Sequence, residues 1–158
     1  MFMGTEIERK YLLDRLPSDI QLNAGEKIHQ GYIVADGRSS LRIRSKGSGF
    51  YLTVKRGRGL IREEVEIELS QEQFSELWPL TQGWRLEKTR YGHNWKEYLI
   101  EIDAFEGPLT GLVMAEVEFL NEADARAFVP PSFFGREVTG DRTFTNMNLA
   151  LHGLGEGS

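Results

Sequence analysis

Charged residues recur along this sequence at two-residue spacing, sorted by sign. Glu6 and Glu8 precede Lys10, Arg42 precedes Arg44, and Thr53 precedes Lys55; Glu64 precedes Glu66, Lys88 precedes Arg90, Glu101 precedes Asp103, and Glu116 precedes Glu118. In an extended strand, residues two apart project from the same face. Most of these pairs therefore set like charges side by side, which is unfavourable in the absence of a ligand. A solvated face explains one such strand. Seven strands sorted in this way point to a shared ligand. Paired carboxylates bind hard divalent cations, and paired guanidinium and ammonium groups bind phosphate oxygens.

Those pairs need strands to carry them. Alternation predicts eight, over residues 5–13, 27–34, 40–46, 49–55, 61–68, 84–91, 95–105 and 112–119. The opposite parity carries Ile7, Ile43, Leu52, Val54, Val65, Ile67, Ile100, Ile102, Val117 and Phe119. Turns are expected at residues 36–38, 57–59 and 91–94, which suits antiparallel neighbours. Ser70 with Gln73 forms a capping box that opens a helix to about Leu77. Asn121 caps a second helix through Phe128, ended by Pro130-Pro131, and Thr145 starts a third that Gly153 stops. The fold class is mainly β with a few outer helices. Closing the sheet gathers the charged faces into one polar bore. Outer-membrane barrels share that polar-in, apolar-out sign, but Arg9, Arg85 and Glu87 fall on the outward parity and helices interrupt the strands. The Glu-x-Glu pairs at 6/8, 64/66 and 116/118 hint at an internal repeat without establishing one.

The 158 residues suit a single domain, with a frayed tail at about 155–158. There is no cysteine, which excludes thiolate metal sites, disulfides and cysteine nucleophiles. Charges in the first ten residues leave no room for a secretory signal, so the cytoplasm is expected. No apolar run is long enough to span a membrane. The net charge of −5 disfavours nonspecific nucleic-acid binding. No phosphate-binding Gly-rich loop is present. His29, His93 and His152 fall outside the pattern, and Trp78, Trp84 and Trp95 read as packing.

The segment Thr5-Glu6-Ile7-Glu8-Arg9-Lys10-Tyr11-Leu12 resembles the Glu-x-Glu-x-Lys signature of the CYTH superfamily, the triphosphate tunnel metalloenzymes. The other pairs follow in that superfamily's order, and residues 134–142 resemble its small bacterial inorganic triphosphatases. The resemblance runs from Thr5 to about Leu151. It implies an eight-stranded antiparallel closed tunnel with helices outside, Mg2+ or Mn2+ as cofactor, and a small-molecule triphosphate as substrate, without nucleic-acid or membrane partners. The expected activity is hydrolysis of tripolyphosphate to pyrophosphate and phosphate. The alternatives are a nucleoside or thiamine triphosphatase, a class IV adenylate cyclase, or a noncatalytic polyphosphate-binding module. Monomer and homodimer are both left open.

Carried over residue by residue, the resemblance assigns Lys10, Arg42, Arg44, Lys55, Lys88, Arg90 and Arg142 to the phosphates. It assigns Glu6, Glu8, Glu116 and Glu118 to a first metal. Glu64, Glu66 and Asp103 either hold a second metal or balance the arginines. Lys10 and Tyr32 are the expected catalytic pair, activating water or orienting the terminal phosphate.

Overall fold

The computed structural model describes residues 2–20, 24–58 and 60–155. Eight strands form one antiparallel barrel: β1 Phe2–Leu13, β2 Glu26–Ala35, β3 Ser39–Lys46, β4 Gly49–Arg58, β5 Ile61–Glu68, β6 Arg85–Trp95, β7 Tyr98–Phe105 and β8 Val113–Glu118. The closed order is β1-β5-β4-β3-β2-β6-β7-β8. β1 makes the closure possible by changing partner along its length. Phe2–Ile7 pair with β5, and Glu8–Leu13 pair with β8. The sheet therefore has no open edge, which satisfies its backbone groups internally.

Three helices accompany the barrel: α1 Gln71–Leu77, α2 Glu122–Ala127 and α3 Asn146–His152. Their starts follow the expected caps. Ser70 and Gln73 form the reciprocal capping box, Asn121 accepts from the Asp124 amide, and Thr145 accepts from the Asn148 amide. Gly153 stops α3 at φ 64°, a conformation costly for other residues. Among the described residues, no helix is long and apolar enough to cross a membrane.

One turn differs from expectation. Residues 91–94 are not a turn; β6 runs on to Trp95 and pairs with β7 through Trp95↔Tyr98. The reversal falls at Lys96-Glu97, where Lys96 takes φ 55°. Gly92 stays extended because its alternation with Tyr91 and His93 continues the ladder, His93 lying opposite Ile100. At the expected 57–59 turn, β4 extends to Arg58; Gly59 and the end of the expected frayed tail, residues 156–158, lie outside the described residues.

The inverted alternation is real. The outward Ile100, Ile102, Ala115, Val117 and Phe119 pack under α2 with Tyr11 and Phe128. Arg9, outward as expected, binds Glu137 and the carbonyls of Ala125 and Phe128, tying α2 and the chain after it to β1. A second core occupies the interior itself. Leu86, Phe105 and Met114 share the parity of the charged bore yet pack with Val138, Phe144 and Leu149. Apolar side chains thus fill the bore beside β6–β8, and α3 is seated against that plug.

Candidate active site

The remaining bore is a cavity of about 350 Å3. Its walls hold Glu6, Glu8 and Lys10 from β1, Tyr32 from β2, Arg42 and Arg44 from β3, and Lys55 from β4. Glu64 and Glu66 come from β5, Lys88 and Arg90 from β6, and Glu116 and Glu118 from β8. Every expected site residue except Asp103 and Arg142 therefore lines one cavity. Barrel registry explains the convergence, because opposed residues share a face. Glu8 lies opposite Glu118, Lys10 opposite Glu116, Arg42 opposite both Tyr32 and Thr53, and Lys55 opposite Glu64.

Asp103 sits just behind the wall. It is buried, with Lys88 Nζ 2.8 Å from Oδ2 and Arg90 Nε 2.7 Å from Oδ1. Burial opposes its charge, but Lys88 and Arg90 outweigh burial and hold it down at about 2. Both oxygens are thus engaged by cations, which is the charge-balancing arrangement. Arg142 is exposed in a short 3-10 turn, Arg142–Phe144, next to the lining residue Asp141.

The cations are held by carboxylates and yet retain donors. Lys55 lies 3.1 Å from Glu6, Lys10 3.5 Å from Glu116, and Arg44 3.5 Å from Glu66. Arg90 reaches Glu101 at 3.3 Å. The Nε groups of Arg42, Arg44 and Arg62 are buried without an acceptor. A buried unsatisfied donor is costly, and an anion oxygen relieves the cost. Burial, with Arg42 and Arg90 nearby, lowers the Arg44 guanidinium to about 10.

The acidic wall shows the opposite strain. Burial and the hydrogen bond that Glu64 donates to Glu6 push Glu64 up to about 7. Burial also opposes the Glu6 charge, but the Glu64 hydrogen bond, Lys55 and Arg62 bring it down to about 2. Glu64 therefore gives up its proton at higher pH than Glu6. Glu118 is raised by burial and by Glu6 and Glu101. Crowded carboxylates are relieved by a divalent cation, and the donors are the hard oxygens Mg2+ and Mn2+ prefer. No three acidic or histidine groups among the described residues already form a coordination shell.

Lys88 is wholly buried at 0% exposure. Burial pulls its ammonium down to about 7 despite Asp103. Tyr32 is also buried, and its hydroxyl accepts from Gln30 Nε2 at 3.1 Å. Its own proton is therefore free to donate elsewhere. The Tyr32 ring packs on Trp84, with centroids 5.9 Å apart.

Several lining residues lie beyond the sequence expectation. Arg62 pairs with Glu8 and lies 3.4 Å from Glu6, while Lys46 and Glu101 complete the β3 and β7 faces. Their parity with Glu64, Arg44 and Asp103 was the available signal. Thr139 and Asp141 come from an irregular segment without periodicity, and Asn146 and Met147 open α3.

A closed antiparallel barrel whose bore gathers clustered cations and carboxylates defines the class as a charged-tunnel protein. The CYTH domain model matches residues 4–133, and the chain belongs to the CYTH family. An inorganic triphosphatase of Nitrosomonas europaea is 46% identical over 149 residues, covering 93% of this chain and 97% of the relative. One from Acetivibrio thermocellus is 38% identical over 151 residues, covering 93% and 94%. A crystal structure of an inorganic triphosphatase superposes with TM-score 0.69 at 41% identity, covering 96% of this chain and 97% of the other. A Pyrococcus horikoshii protein, 17% identical, shares the fold at TM-score 0.54, with coverage of 82% and 94%.

Proposed function

We propose that this protein is a metal-dependent triphosphatase that hydrolyses tripolyphosphate to pyrophosphate and phosphate. The carrying observation is one cavity in which buried arginine Nε donors lacking acceptors face a cluster of carboxylates. Similarity to inorganic triphosphatases over nearly the whole chain supports the same reading. Tripolyphosphate brings about four or five negative charges near neutral pH, which the site must neutralise while leaving one phosphorus open.

Arg42, Arg44, Lys55 and Arg90 hold the phosphates, and Arg142 stands near one mouth. Glu6, Glu8, Glu116 and Glu118 would hold Mg2+ or Mn2+, and Glu64 and Glu66 would hold a second ion. Such an ion, when bound, neutralises phosphate charge, and its remaining ligands come from substrate and water, as is usual for Mg2+. Lys10 and the Tyr32 hydroxyl orient the terminal phosphate. Lys88 is the proton acceptor on the lining, because burial pulls its ammonium down to about 7. Water attacks the terminal phosphorus, its proton passes to Lys88 Nζ, and the bridging P–O bond breaks to release pyrophosphate. Cytoplasmic location is part of the same proposal.

Tyr32 supplies the one aromatic ring among the described lining residues, so the cavity offers little to a nucleobase. A substrate panel at matched free Mg2+ tests the reading. The expected order of kcat/KM is tripolyphosphate, then ATP, then pyrophosphate, which is too short to span the site. A tenfold preference needs only about 1.4 kcal/mol of differential transition-state binding. ATP outpacing tripolyphosphate would replace the proposal, with phosphate release favouring a nucleotidase and cyclic AMP a cyclase.

A further inference from the structure

Two acceptors from different parts of the chain fix the Lys88 head group. Asp103 Oδ2, on the neighbouring strand β7, lies 2.8 Å from Nζ. Asn146 Oδ1, on α3, lies 2.9 Å away. One acceptor would leave Nζ free to spin about its terminal bond. Two acceptors fix the third tetrahedral position, whether it carries a proton or a lone pair. Because lysine offers no acceptor when charged, the amide oxygen of Asn146 is the atom that faces it.

Asn146 stands on a firm support. It is the first residue of α3, directly after the Thr145 cap. Phe144 and Leu149, on either side, are buried in the plug of the bore. The Trp84 indole donates to the Met147 carbonyl at 2.9 Å, and the same indole packs on Tyr32. Asn146 and Lys88 both line the cavity.

We propose that Asn146 is a positioning residue, whose Oδ1 turns the third position of Lys88 Nζ toward the attacking water and the terminal phosphate. This rests on the reading of the cavity as a tripolyphosphate-hydrolysing site. Asn146 acts through Lys88, so its loss slows turnover more than it weakens binding. The phosphates keep Arg42, Arg44, Lys55 and Arg90.

The test compares steady-state hydrolysis of tripolyphosphate, at saturating Mg2+, by wild type, Asn146→Leu and Asn146→Asp, with melting temperatures measured alongside. Asn146→Leu keeps the volume without the acceptor and should lower kcat at least about tenfold, with KM within about threefold. Asn146→Asp keeps the acceptor, but its carboxylate holds the Lys88 ammonium charged to higher pH. The pH limb of kcat should therefore move up, and kcat should return to within about threefold of wild type only above that raised limb. KM should rise because a carboxylate is added beside phosphates. If the leucine variant does not fold, Asn146→Ser, too short to reach Nζ, should show the same loss of kcat. Unchanged kcat in the folded leucine or serine variant would overturn the proposal. So would an aspartate variant as slow as the leucine one at every pH, with no limb moved upward. A wild-type protein unable to cleave tripolyphosphate would instead overturn the function itself.

Discussion

In the proposed mechanism Lys88 carries the proton transfer, and it is a buried amine held by Asp103 and Asn146 at the cavity wall. Asp103, Arg90 and Glu116 act on its charge, and the Phe105 ring lies 5.5 Å from Nζ. Burial dominates, so the amine gains ground above about pH 7 rather than near the ordinary lysine value. A proton acceptor must be neutral, so kcat/KM for tripolyphosphate should rise with pH through about 7 and level off above it. Lys88→Arg, charged at every accessible pH, should lower the plateau and remove that limb. A wild-type profile flat from about pH 6 to about pH 9, or a limb retained in the arginine variant, would assign the proton elsewhere. Parity in the sequence marks Lys88 as facing the bore. Its depressed charge was not legible, because complete burial depends on Asp103 and Phe105 from β7 and Asn146 from α3 meeting around it. Asp103 illustrates the same limit: its type and parity suit a metal, and only the closed barrel shows both oxygens taken by Lys88 and Arg90.

At the scale of elements, β3 shows what sorting charges by strand entails. Arg42, Arg44 and Lys46 share its inner face, and the nearest carboxylate oxygen to Arg44 is 3.5 Å away on Glu66. The lowering of the Arg44 guanidinium toward neutrality means that its charge is held at a cost in the empty protein. Arg44→Ala should leave the melting temperature of the ligand-free protein within about 2 °C of wild type, or raise it. It should raise KM for tripolyphosphate at least about tenfold, or about 1.4 kcal/mol of lost binding. Calorimetry with parallel kinetics checks both. A large fall in stability with KM unchanged would make Arg44 a structural cation. Period-two alternation made such strands readable, and the capping residues made the helix starts readable. The β6–β7 reversal was misplaced because Gly92 and Asn94 mimic turn chemistry while staying in register, and Lys96 takes the left-handed conformation instead. Arg62 was overlooked because it stands alone, without a like-charged residue two places away to flag it.

At the scale of the whole molecule, closure converts separate charged faces into one site. β1 passes from β5 to β8 at Glu8, and so carries its own carboxylates between the Glu64/Glu66 and Glu116/Glu118 pairs. Closure was inferable from the inverted alternation together with the family resemblance. The apolar plug was not, since Leu86, Phe105 and Met114 obey the same parity as the charged bore and Val138, Phe144 and Leu149 reach them from irregular chain and α3. Under the proposed function a polyanion and a cation bind together there, the polyanion at the arginine Nε donors that lack an acceptor and the cation among the crowded carboxylates. The most direct test follows the products formed from tripolyphosphate with excess Mg2+, with EDTA, and with Mg2+ restored. The account predicts phosphate and pyrophosphate in equal amounts with Mg2+, none in EDTA, and full recovery when the metal is returned. Undiminished hydrolysis in EDTA, or no cleavage of tripolyphosphate with either Mg2+ or Mn2+, would contradict it.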